Sequence, residues 1–241
     1  MTRVSAKPHP YVIEPPLSTR TLYKKNDLFD FALLLFGDVN KNLPYFIYAF
    51  EQMGSVGIGK RINGSRGYFT LEEVRSGDNQ LLYSRGNRIL VQDSGTGIME
   101  LNSPQPIGTT KLRLNLITPL RLKFENRLKA ELPFHLLVRA MLRRISSLLS
   151  YYGEGEPDLD YRGMVKRAQD VKTLESKLEW YDWRRYSFRQ DKAMLMGGIV
   201  GSIVYEGRLG EFMPMIDFCT RVHLGKQTTF GLGKIKAEIT S

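Results

Sequence analysis

Cysteine is nearly absent from this chain: Cys219 is the single one in 241 residues. One thiol forms no intrachain disulfide and builds no cysteine zinc site, which excludes stapled secreted scaffolds and suits a reducing compartment. Histidine is scarce as well, limited to His9, His135 and His223, so few side chains are suited to proton transfer near neutral pH. Long apolar runs are missing too. The longest, Phe29 to Phe36, is of strand length and interrupted by Asp30, far from the roughly 18 apolar residues of a membrane span. Met1-Thr2-Arg3-Val4-Ser5-Ala6-Lys7-Pro8 carries no apolar core of the kind a secretory signal needs. These absences together predict a cytoplasmic protein. Acidic residues also fall short of basic ones, 25 against 35, leaving a net charge of +10. Such an excess concentrates anions at the surface and favours nucleic acid, although structural basic proteins share it.

The remaining composition, 42% hydrophobic and 25% charged, is that of an ordinary globular protein with a sizeable core. Residues 1–20 hold Pro8, Pro10, Pro15 and Pro16 and read as an extended lead-in without stable secondary structure. Leu28 to Phe36 reads as a buried strand. Asn42-Leu43-Pro44 then opens a helix whose apolar positions run through Met53 and which stops at Gly54. The glycine-rich passage Gly54 to Gly64 and a strand from Tyr68 to Val74 complete a partial domain. With the connector 76–108, that domain spans 21–108.

From Thr109 the periodicity sharpens. Thr110 to Thr118 alternates with period two, and Leu132 to Leu149 is amphipathic at helical spacing. Strands over Thr173–Phe188 and Gly197–Tyr205, a helix from Leu209 to about Arg221 and a strand from Phe230 to Ile239 follow. Residues 109–241 therefore spell strand–helix–strand–strand–helix–strand, the ferredoxin-like pattern. The earlier segment repeats its second half, glycine loop included. The fold class is α+β, tandem ferredoxin-like (RRM-like) domains, the first lacking its leading strand and helix.

The last twenty residues carry the chemistry. In His223-Leu224-Gly225-Lys226-Gln227-Thr228-Thr229-Phe230-Gly231-Leu232-Gly233-Lys234, three glycines admit positive φ and close backbone approach. Exposed amides beside Lys226, Thr228 and Thr229 suit phosphate oxygens. Lys60 and Arg61 after Gly59 make a second such loop. Arg139, Arg143 and Arg144 share a helix face that reads equally as an RNA-backbone track or a solvated surface. Aromatic–arginine interleaving over Trp180–Arg189 suits base stacking or core packing. Neither glycine segment has the Gly-Lys-Ser/Thr ending of a phosphate-binding loop. Glu154, Glu156, Asp158 and Asp160 read as a solvated turn, so no metal and no cofactor are expected.

Leu43-Pro44-Tyr45-Phe46-Ile47 with Gly57-Ile58-Gly59, Thr118-Pro119-Leu120-Arg121, Leu132-Pro133-Phe134, Arg143-Arg144-Ile145, Gly197-Gly198-Ile199-Val200-Gly201 and the closing loop occur in an order that resembles the CRISPR-associated RAMP endoribonucleases that process repeat transcripts. The resemblance runs from about Pro10 to Ile239. It implies binding of CRISPR repeat RNA and metal-independent cleavage by the RNA's own 2′-hydroxyl, leaving a 2′,3′-cyclic phosphate. The alternative is a non-catalytic RNA-binding subunit of a CRISPR ribonucleoprotein, with other CRISPR-associated proteins as partners. Two departures stand out. His223 holds the place of the family's first loop glycine, and family members carry more chain, often with a catalytic histidine, before the segment matching Pro10–Pro16. His223 and Lys226 are accordingly the expected catalytic pair. Lys60, Arg61, Arg139, Arg143, Arg144, Gly225, Thr228, Thr229, Gly231, Gly233 and Lys234 are the expected RNA-binding set.

Overall fold

The computed structural model describes residues 7–18, 20–87, 89–91, 97–103, 108–122, 131–182, 184–187 and 192–240. Near the start, β1 (Tyr11–Glu14) pairs antiparallel with β2 (Ala32–Leu35). The proline-rich lead-in thus contains a strand, and Val12 within it is fully buried. The apolar run before Gly37 is less of a strand than its composition predicts. Only four residues pair, and Leu28 is 84% exposed.

A unit of residues 37–99 follows. Helix α1 (Leu43–Val56) begins with Pro44 in its first turn, where a missing N–H costs nothing. It runs past Gly54 and ends at Gly57, whose φ of +83° terminates the turn. Gly54 is a packing position, since a Cβ there would lie 2.2 Å from the Phe69 carbonyl oxygen. Two hairpins complete the unit: β3 (Ile58–Ile62) with β4 (Ser65–Gly67), and β5 (Glu73–Arg75) with β6 (Leu81–Ser84). The Tyr83 hydroxyl donates to Glu51 at 2.5 Å. The helix expected here is present, but the glycine passage after it is itself the β3–β4 hairpin, and of the strand expected over Tyr68–Val74 only Glu73 and Val74 are paired, within β5. Among the described residues the strands of this unit form separate two-stranded ladders.

The second unit joins residues 1–36 to 100–241, so the lead-in and first hairpin belong with the C-terminal half and not with a continuous 21–108 block. Its centre is β7 (Thr109–Leu120), followed by α2 (Phe134–Tyr152), α3 (Tyr161–Arg167), β8 (Lys172–Tyr181), a small hairpin of β9 (Arg184–Ser187) and β10 (Lys192–Leu195), β11 (Gly198–Arg208), α4 (Met213–Val222) and β12 (Ile235–Thr240). The predicted single strand over 173–188 is therefore β8 plus the first arm of the inserted hairpin. The main sheet has the order β12-β7-β11-β8, with every neighbouring pair antiparallel. Counting only its own strands, that order is 4-1-3-2, with α2 and α4 as the two crossovers.

Period two explains the layering. Leu112, Leu114, Leu116 and Leu120 of β7 are buried with Ile203 and Tyr205 of β11. The buried stripes of α2 (Leu137, Val138, Met141, Ile145) and α4 (Ile216, Cys219, Val222) complete the same core. Phe134 sits edge-on to Tyr205 at 4.9 Å and to Phe212 at 5.1 Å. The buried Tyr205 hydroxyl donates to the Leu132 carbonyl at 2.6 Å, satisfying the one polar atom that this aromatic cluster encloses.

Candidate functional site

The loop 223–234 returns the chain from α4 to β12, and its backbone is folded onto the end of β7. The Leu224 amide donates to the Gly233 carbonyl, that of Lys226 to Arg121 and that of Gly233 to Pro119, at 2.9 to 3.1 Å. Phe230 and Gly231 close a 3₁₀ turn onto Gln227 and Thr228. The Thr118 hydroxyl donates to the Gly231 carbonyl at 2.7 Å and accepts from the Lys234 amide at 2.8 Å. Six of the loop's amides are thus engaged inside the protein.

The glycines answer to packing. At Gly233 a Cβ would lie 1.8 Å from the Leu224 carbonyl oxygen, and at Gly231 it would lie 2.5 Å from Pro15 Cδ and 2.8 Å from the Ile13 carbonyl oxygen. Both have φ near +80°, so glycine is required on two counts. Gly225 is likewise pressed against the Arg121 carbonyl. Thr228 is buried, and Thr229 is partly covered.

His223 shows the clearest departure from expectation. Its φ and ψ are 60° and 152°, a region that only glycine enters readily, which explains why a glycine is expected there. The ring is 1% exposed. Nδ1 lies 3.0 Å from the Leu232 carbonyl and Nε2 lies 2.6 Å from Glu14 Oε1. Both ring nitrogens therefore face oxygen atoms of the protein itself. With both nitrogens occupied and the ring enclosed, His223 pins β1 to the loop and cannot reach a substrate phosphate. Glu14 also receives Lys234 Nζ at 2.7 Å. The His223 hydrogen bond, more than the ammonium beside it, holds the Glu14 carboxyl down at about 2 from 4.5, against the opposing pull of burial.

The basic residues sort by environment. Arg144 turns inward and donates to the Val222 and His223 carbonyls at 2.7 to 3.2 Å, capping the C-terminal end of α4. Burial pushes its guanidinium down to about 10, and Phe36 covers it at 5.7 Å. It is a structural cation, not part of an RNA track. Arg139 and Arg143, one turn apart on α2, remain exposed, as does Lys226 on the loop. Lys234 is paired with Glu14. Lys60 and Arg61 are exposed in β3, within the other unit.

His9 is exposed, its ring 6.0 Å from Tyr11. His135 is half-buried, and desolvation with the nearby Arg139 lowers its pKa. Asp160 caps α3 through the Gly163 amide and pairs with Arg167, and Glu156 accepts from Ser146; Glu154, Glu156, Asp158 and Asp160 are all exposed, as in the solvated turn expected. Trp180 donates to Asp182 at 2.8 Å; the side chains of 183–189 lie outside the described ones. Glu14 is what sequence reasoning missed. Its signal was a lone acid closing the apolar triplet Tyr11-Val12-Ile13, which the flanking prolines masked.

A family model described as CRISPR-associated endoribonuclease Cas6 matches residues 114–235, and a second, described as an N-terminal domain, matches residues 1–95. An uncharacterized protein of Archaeoglobus fulgidus is 24% identical over 229 residues, 93% of this chain and 71% of that one. Among solved structures, a partial Cas6-RT-Cas1–Cas2 complex aligns with a TM-score of 0.61 at 16% identity, covering 96% of this chain and 39% of that one. A fuller Cas6-RT-Cas1–Cas2 complex gives the same score but is covered over 24% of its chain. A Cas6 product complex aligns with a TM-score of 0.52 at 11% identity, over 95% of this chain and 82% of that one. The chain therefore spans well under half the length of the chains it matches in those two complexes. The structural likenesses show a mixed α/β fold of the Cas6 type.

Proposed function

Because this chain belongs to the CRISPR-associated endoribonuclease Cas6 family, we propose that it binds CRISPR repeat RNA in the cytoplasm and cuts the precursor transcript within each repeat. The observation that carries this reading is where the match falls. Residues 114–235 cover most of the four-stranded sheet, both crossover helices and the glycine loop. In this reading the two halves are tandem ferredoxin-like domains, the first of them abbreviated.

Cleavage proceeds without a metal. The 2′-oxygen attacks the adjacent phosphorus, the bond to the 5′-oxygen breaks, and a 2′,3′-cyclic phosphate and a 5′-hydroxyl result. The step needs a proton acceptor, a proton donor and a cation near the non-bridging oxygens. Lys226 supplies exposed charge on the loop, with Arg139 and Arg143 as backbone contacts. Of the three histidines, His9 and His135 keep access to solvent, so proton transfer falls to them or to groups outside the glycine loop. A second reading, an RNA-binding subunit that does not cut, is favoured by the enclosure of His223.

End-labelled repeat RNA incubated with the protein in EDTA separates the two. Cleavage to a cyclic phosphate, blocked by a single 2′-deoxy substitution before the cut, supports the nuclease. Binding of repeat RNA in preference to random RNA, with no product, supports the subunit. Absence of any preference defeats both.

A further inference from the structure

Among the described residues, β12 lies at an edge of the main sheet. The Lys234 carbonyl accepts from the Ile117 and Thr118 amides at 2.9 and 3.3 Å, so the even-numbered residues that follow turn their backbone groups toward β7. By the alternation of antiparallel ladders, Ile235, Ala237 and Ile239 turn theirs outward. Edge strands are usually blunted by charge. Here the charges alternate as Lys236 and Glu238, on one face, 2.8 Å apart and 66% and 43% exposed.

From this pattern we infer that β12 is the docking surface for a second copy of the chain, which adds its own β12 antiparallel about a two-fold axis at Ala237. In that register Lys236 stands opposite Glu238 of the second copy, and Glu238 opposite its Lys236. These are non-hydrogen-bonded pairs, where facing side chains come closest. The outward groups of Ile235, Ala237 and Ile239 meet their counterparts as hydrogen-bonded pairs. Sliding the second strand by two residues either way brings Lys236 onto Lys236 or Glu238 onto Glu238. Within β12, both slips therefore set like charges against each other.

Shape complements this. Beside β12 runs a groove of about 490 Å³, lined by Leu17, Ile117, Met213, Ile216 and Ile235 among others. Ile239, whose cross-strand partner is the core residue Leu112, projects to that same helix-side face yet is 55% exposed. In the self-paired register Ile239 of the second copy stands opposite Ile235, at the groove. An exposed isoleucine and an open apolar groove are then two halves of one isologous contact, and the sheets fuse into one of eight strands.

Sedimentation equilibrium of the full chain without RNA tests this. The expected result is a dimer that Lys236→Glu and Glu238→Lys each weaken about tenfold. An equimolar mixture of the two variants recovers association, because across the mixed interface every charge again faces one of opposite sign. Ile239→Ser weakens the dimer without altering the circular dichroism. A wild-type monomer at roughly 100 μM, well above the dissociation constants of modest interfaces, overturns the inference. So does a dimer indifferent to both charge reversals.

Discussion

Glu14→Gln keeps the size of the side chain and removes the charge that His223 and Lys234 share. A carboxyl carried from 4.5 to about 2 in the folded state contributes about 3 kcal/mol of stability at neutral pH, at about 1.4 kcal/mol per tenfold change in proton affinity. With the side chain only 16% exposed, solvent screening takes little from that figure. The folded state holds this proton less tightly than the unfolded chain does. The contribution is therefore complete above about pH 5 and lost as the pH falls through about 2. Urea unfolding followed by tryptophan fluorescence reads the relevant unit, since Trp180 lies in β8. The variant is expected to be about 3 kcal/mol less stable than wild type at pH 7 and only about 1 kcal/mol less stable at pH 2.5. A variant within about 0.5 kcal/mol of wild type at pH 7 would refute the reasoning. A gap that stays constant into acid would refute it equally.

Two further perturbations separate structural from surface roles. Gly233→Ala drives a Cβ into a carbonyl oxygen at 1.8 Å, whereas at Gly59, also at positive φ, nothing lies within 4 Å. Thermal unfolding should show a loss of about 3 kcal/mol or more for the first and about 1 kcal/mol for the second. Arg144→Met removes three hydrogen bonds to the end of α4 and should cost about 3 kcal/mol by urea unfolding. Arg139→Ala and Arg143→Ala should leave stability within about 0.5 kcal/mol, while each lowers the salt slope of repeat-RNA binding by about one.

The C-terminal half was legible because its elements are long and strongly periodic. Alternation over Thr110–Thr118 and the helical stripe from Leu132 to Leu149 each give two or more turns or pleats of consistent signal. What escaped depends on contacts between distant segments. Tyr11–Glu14 has too few residues to declare a strand between prolines, and only pairing with Ala32–Leu35 makes it one. The glycine loop was found, but not the packing that requires its glycines. Positive φ and close approach are legible in a sequence, whereas whether the approaching group is a phosphate or a neighbouring carbonyl is not. His223 looked chemical because a histidine beside glycines has the right pKa class. Its carboxylate partner lies 209 residues earlier, beyond any local pattern. Arg144 looked like its neighbours Arg139 and Arg143, and one residue's rotation about α2 separates a helix cap from a surface charge.

The 209-position separation of Glu14 and His223 also sets an order of events during synthesis. A ribosome adding roughly 5–20 residues per second makes the strand bearing Glu14 some 10–40 s before the loop that receives it. A lone two-stranded hairpin is marginal in water, so over that interval Val12, fully buried in the finished protein, is left open to solvent. The segment born first in this unit is therefore among the last to become secure. Its fate is decided by how quickly the C-terminal loop arrives.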